Sequence, residues 1–203
     1  LRPIDSEDFA LVTRFLMSSS PDHPAHGILV RLGRAGYGAA ISGFINNMPI
    51  IRFRLNGVET SVDSAAELTF LELLRDRLGL LGSHHGCGAG QCGACHVLVD
   101  DHALSSCDMP LWALEGKDVT TIEGLGTPDH PHPLQRAFIA EQAMQCGYCV
   151  PGILISAAAL LKRNPSPTET EVRQALDRNL CRCGAQNRMV RAVLAAAAEM
   201  AAP

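Results

Sequence analysis

From Ile50 onward the chain carries a clear alternation of apolar and charged positions. Ile51, Phe53 and Leu55 alternate with Arg52 and Arg54, the two-residue period of a strand buried on one face. Asn56-Gly57 supplies a hairpin turn with positive φ, and Val58 to Val62 returns as a second strand. Leu68, Leu71, Leu74 and Leu78 then follow at helical spacing, stopped by Gly79. Two short runs, HVLVD and ALSSC, flank an Asp100-Asp101 turn, where aspartate tolerates the left-handed region. Val119 to Ile122 predicts one more β-branched strand.

Residues 124–133, GLGTPDHPHP, predict a linker and a domain boundary, and the pattern beyond it is helical. Leu134, Phe138, Ala143 and Met144 form one apolar stripe, and an Ala/Leu-rich helix runs from Gly152 to Arg163 behind Pro151. Ser166-Pro167-Thr168-Glu169 predicts a fresh N-cap at Ser166. Val172, Leu176 and Leu180 share a face of the helix that follows, and a last Ala-rich helix covers Gln186 to Met200. Four such helices predict a compact bundle. Residues 1–47 show no clear periodicity. Although Arg-bearing and poor in acids over part of its length, this stretch reads as an extension outside the fold rather than a transit peptide, with Met48 as the natural start.

The chain's 203 residues suffice for one domain or two small ones. A net charge of −4 without a basic cluster argues against nucleic acid. The longest largely apolar run, Cys149 to Leu161, holds 13 residues and contains Pro151, Gly152 and Ser156, too short to span a bilayer. Eight cysteines with no clear secretory signal point to metal rather than disulfides, and to assembly in the cytoplasm.

Their spacing says more. Cys87, Cys92 and Cys95 stand as C-x4-C-x2-C, with Cys107 after an eleven-residue gap, the plant-type spacing for a [2Fe–2S] cluster. Gly86, Gly88, Gly90 and Gly93 let this loop turn tightly and aim backbone N–H groups at sulfur. The other four, Cys146, Cys149, Cys181 and Cys183, lie in QCGYC and NLCRCG beside predicted helix boundaries, where unpaired N–H groups favour thiolate. Eight cysteines thus divide into two quartets, one per predicted domain.

Two other chemistries use such pairs. Zinc would make the chain a structural or interaction module, yet the x4–x2 spacing suits iron better. Thiol–disulfide exchange at Cys146 and Cys149 normally follows a buried strand, whereas a helical segment precedes them here, and Cys181 and Cys183 would have no role. His96 beside Cys95 reads as an ordinary strand residue, His84 and His85 as solvent-facing, and Trp112 as core.

GCGAGQCGAC with Cys107, then QCGYCVPGIL and NLCRCG, resembles the small iron–sulfur subunit of the molybdenum hydroxylases, over roughly residues 50–198. The resemblance implies an α+β chain: a β-grasp ferredoxin domain (48–123), a linker (124–133) and a four-helix-bundle domain (134–203), each domain with one [2Fe–2S] cluster. It assigns Cys87, Cys92, Cys95 and Cys107 to an outer cluster and Cys146, Cys149, Cys181 and Cys183 to an inner one. Gln145 would hydrogen-bond the molybdopterin cofactor of a large catalytic partner. Gly184 after the CRC run is closer to the isoquinoline, nicotinate and aldehyde branch. The electron acceptor that the resemblance implies is either a cytochrome c domain or subunit, as that branch allows, or an FAD subunit. The chain would relay electrons and hydroxylate nothing alone.

Overall fold

In the computed structural model, residues 28–30, 50–63 and 68–202 are described. Of the expected extension, only Ile28–Val30 belongs to them; Met48 and the rest of residues 1–47 lie outside the described residues. Among the described residues six strands make one mixed sheet: β1 (Ile28–Val30), β2 (Ile50–Leu55), β3 (Val58–Asp63), β4 (His96–Val99), β5 (His102–Ser105) and β6 (Asp118–Thr120), in the order β1-β3-β2-β6-β4-β5. β1 runs parallel to β3 at the sheet edge, with Leu29 opposite Ser61. The β2–β3 hairpin turns through Asn56 and Gly57 at φ 51° and 81°, as their sequence predicts. The Asp100-Asp101 turn likewise takes φ 47° and 66°.

The helix expected around residues 68–78 is short and wide. α1 (Phe70–Glu72) opens on a Thr69 capping box and runs straight into a π-helical turn, Leu73–Arg77. Leu71 packs with Cys95 and Cys107, while Phe70, Leu73, Leu74 and Leu78 join the sheet core. Burial on two sides is more than one stripe of a 3.6-residue helix covers. Phe53 and Phe70 meet edge to face at 5.9 Å.

Behind the sheet come α2 (Ile122–Leu125), α3 (Pro133–Ala140), α4 (Val150–Arg163), α5 (Glu169–Leu176) and α6 (Gln186–Ala201). Ile122 therefore opens a helical turn and does not extend β6. α3 stops at Ala140, and Gln142 takes φ 48°, so Ala143 and Met144 lie past the helix. The cap of α5 is Thr168, not Ser166: Thr168 Oγ accepts from Glu171 N, and the Glu171 carboxylate accepts from Thr168 N at 2.7 Å. Thr168 and Glu171 satisfy two orphan donors reciprocally, while Glu169 pairs with Arg173 instead. Leu180 lies beyond α5 and is 67% exposed. Trp112 is 71% exposed; in the 3-10 turn Leu111–Leu114, the i and i+3 leucines take the buried side and Trp112 is turned outward.

β4 joins the two halves. All four of its residues are buried: Val97 and Val99 belong to the sheet core, and Leu98 belongs to the helical core with Ile153, Leu154 and Val193. His96, also buried, meets Ser156 Oγ of α4 at 2.8 Å, so it is an interface residue rather than an ordinary strand position. Lys162 at the end of α4 pairs with Asp101 in the β4–β5 turn. Among the described residues no helix is long and apolar enough to cross a membrane.

His132 caps α3 through its Nδ1, which accepts from Leu134 N at 3.2 Å. Burial, then the Arg136 and Lys162 charges, hold its pKa below the usual imidazole value. A depressed folded-state pKa means that the stabilisation is complete above the unfolded value of about 6.5 and is lost as pH falls through the folded one. The melting temperature should fall below about pH 6.5, and His132→Asn, which keeps a capping acceptor, should fall less steeply. Parallel melting-versus-pH curves for the two proteins would contradict this.

Candidate metal centres

The loop from Ser83 to Ala94 is held by backbone turns, with Gly88, Gly90 and Gly93 at φ 66°, 65° and 72°. It turns its N–H groups inward onto sulfur. Ala89 N and Gln91 N donate to Cys87 Sγ at 3.4 and 3.2 Å, Cys87 N donates to Cys92 Sγ at 3.4 Å, and Gly90 N donates to Cys107 Sγ at 3.4 Å. The sequence expectation of sulfur-directed amides is met here. These donors, Ala89 first and Gln91 next, draw the Cys87 thiol down to about 6. Burial works the other way on Cys107 and pushes it up to about 12.

The helical half repeats the scheme with helix ends. Cys149 is the N-cap of α4, and Cys181 and Cys183 lie just ahead of α6, whose N-cap is Ala185. The Tyr148 amide, then the Cys183 side chain, lower Cys146. Burial raises Cys181, but the amides of Ala185, Cys183 and Gly184 and the Cys149 side chain outweigh it, and its pKa ends below the ordinary value. Burial pushes Cys149 up to about 12. A thiol so raised becomes a ligand only if a metal supplies the positive charge that replaces its proton.

The sulfurs come in pairs. In the first quartet the side chain of Cys87 interacts with that of Cys92 and Cys107 with Cys95; in the second, Cys146 interacts with Cys183 and Cys149 with Cys181. A tetrahedral zinc needs four donors at one point, whereas a two-iron cluster takes two thiolates per iron. The donor set fits the latter.

The two quartets touch each other. Leu180 N donates to Cys92 O at 3.0 Å, and Gly93 O accepts from Asn179 Nδ2 at 3.3 Å. Gly152, three residues after Cys149, lies so close to Gly93 that an added Cβ would fall on the Gly93 carbonyl oxygen. On the other side His84 is half-buried and bound to Tyr148, not simply solvent-facing; His85 is exposed, as expected. Sequence spacing held no sign of this junction, because its partners stand more than 60 positions apart. Gln145 is exposed beside Cys146. A groove of about 660 Å³ opens next to Cys181, lined by Ile153, Leu176, Leu180, Met189 and Val190 among others.

The folded parts define an iron–sulfur protein. Residues 53–121 match the 2Fe-2S iron-sulfur cluster binding domain family and residues 121–194 the [2Fe-2S] binding domain family. The chain belongs to the iron–sulfur subunits of the molybdenum hydroxylases, and its role is that of an electron-transfer component of an oxidoreductase. It is similar to one of the subunits of nicotinate dehydrogenase from Pseudomonas putida, 46% identical over 147 residues, covering 72% of this chain and 94% of that protein. The alpha chain of isoquinoline 1-oxidoreductase from Brevundimonas diminuta is 48% identical over 153 residues, 75% of this chain and all of that protein. Among solved structures, quinoline 2-oxidoreductase from Pseudomonas putida 86 superposes with a TM-score of 0.69 at 33% identity, over 74% of this chain and 94% of that one.

Proposed function

We propose that Cys87, Cys92, Cys95 and Cys107 hold an outer [2Fe–2S] cluster and that Cys146, Cys149, Cys181 and Cys183 hold an inner one. Bound there, the clusters supply two one-electron sites in series between a molybdopterin centre in a large partner chain and an external acceptor. Gln145, exposed next to the first inner cysteine, contacts the pterin of the partner. The acceptor is a cytochrome c domain or subunit, or an FAD subunit. The substrate, oxidised in the partner, is an N-heteroaromatic compound or an aldehyde; the relatives named for nicotinate, isoquinoline and aldehyde oxidation support this range. Assembly takes place in the cytoplasm. Residues 1–47 serve none of this chemistry, and residues 48–123 and 134–203 carry one cluster each.

The observation that carries the reading is the turning of backbone amides onto the sulfurs of the first loop, with the side chains of each quartet interacting among themselves. This chain's part is to hold the sulfurs as thiolates, to screen the buried ones from water and to keep the two sets in contact. The test is reduction of the assembled complex by substrate without an external acceptor. Substrate should bleach the visible absorption of this chain only when the large partner is present. A complex that dithionite bleaches and substrate does not would contradict the reading.

A further inference from the structure

Tyr148 stands between two inner-quartet cysteines, yet its contacts are with the segment that leads into the other quartet. Its hydroxyl donates to His85 O at 2.5 Å. Its own carbonyl oxygen lies 2.7 Å from His84 Nδ1, and because a carbonyl only accepts, that nitrogen carries the proton. The two rings are stacked, with centroids 4.4 Å apart and planes inclined by 21°. Three contacts of different kinds thus join one residue of the inner loop to the two residues ahead of Gly86 and Cys87. On the opposite side the outer loop is held by the backbone bond from Leu180 to Cys92 and by Arg178 Nη2 on Gly90 O at 3.3 Å.

A loop held on one side only is free to pivot about that side. Stacked aromatic rings and a hydroxyl bond fix a distance and an angle together, which a single hydrogen bond does not. Tyr148 is half-exposed, so the fold gains little core burial from its ring. Its bonds are instead directed at one partner segment.

We propose that Tyr148 and His84 form a clamp that fixes the separation and relative orientation of the two cysteine quartets, making both of them positioning residues. The inference rests on the ligand assignment above and concerns the spacing of the two centres, not their presence. Neither side chain is a cysteine ligand, and the clamp acts by restricting how the outer loop tilts against the start of α4.

The test is made on the cluster-loaded protein. Iron is counted first, and the fully reduced sample is then examined by low-temperature EPR for the magnetic splitting between the two paramagnetic centres. Tyr148→Phe keeps the stack and loses the hydroxyl bond; His84→Asn keeps an N–H donor for the Tyr148 carbonyl and loses the stack; Tyr148→Ala removes the stack and the hydroxyl bond. Each variant should retain wild-type iron and a melting temperature close to wild type, while the splitting smears progressively and is lost into broadened lines in Tyr148→Ala. An unchanged splitting in all three iron-replete variants would overturn the clamp. Loss of iron from all three would also overturn it, by showing that these contacts serve cluster assembly. A wild-type protein without any iron–sulfur EPR signal would instead overturn the ligand assignment.

Discussion

Replacing Gly152 by alanine should lower the melting temperature by roughly 6–12 °C and loosen both cysteine quartets at once. Helix propensity argues the other way, since alanine inside a helix is favoured over glycine by about 1 kcal/mol. The packing term is larger. A Cβ at Gly152 would fall on the carbonyl oxygen of Gly93 and close to its carbonyl carbon and the Cα of Ala94. All three are backbone atoms, so no side chain can rotate away, and α4 must withdraw from the loop between Cys92 and Cys95. Overpacking of this kind costs about 1–3 kcal/mol and occasionally more. Withdrawal also strains the Asn179–Gly93 and Leu180–Cys92 bonds, so a net loss of about 3 kcal/mol is expected. Thermal unfolding followed by visible circular dichroism measures it directly. A variant that melts at or above the wild type would show that the two loops can move apart freely.

The grouping of the cysteines was legible because the proposed ligands stand close together along the chain. The four-residue and two-residue gaps of the first quartet, and the two close pairs of the second, match how far a backbone loop reaches around a two-iron cluster. The Asn56-Gly57 and Asp100-Asp101 turns were legible for the same reason, since positive φ is a property of the residues themselves. What stayed hidden depends on the other half of the molecule. Trp112 looks like core by composition, but the turn that carries it offers its buried side to Leu111 and Leu114. Leu180 continues the period of Val172 and Leu176, yet α5 has ended by then and Leu180 spends its amide on Cys92. Ser166 has the right residue type for a cap, but the Thr168–Glu171 pair closes both bonds two residues later. His96 and His84 take their roles from Ser156 and Tyr148, far away in sequence. Ile28–Val30, a run of only three residues, is a strand only because β3 offers it an open edge.

Cys149→Ser should leave about two irons where the wild type holds about four, with the signal of the outer cluster retained, and should also lower the melting temperature substantially. Cys149 is buried at the start of α4 among Val150, Ile153 and Leu154. Serine there is a poorer ligand for iron and leaves a hydroxyl in an apolar setting, at a cost of roughly 1–3 kcal/mol on top of the lost metal bonds. Cys87→Ser should also leave about two irons, now with the inner signal retained, but with a smaller fall in melting temperature. Cys87 is exposed, and the amides of Ala89 and Gln91 that serve its sulfur can serve an oxygen instead. The contrast between two substitutions of identical chemistry separates ligation from burial. Iron analysis and EPR on both proteins check it, and equal melting temperatures would contradict the assigned difference.

The most direct measurement is chemical. The purified chain should be red-brown and hold about four irons and about four acid-labile sulfides, two of each per quartet, with no zinc above trace. Zinc at one or two equivalents with no labile sulfide would contradict the account at its centre.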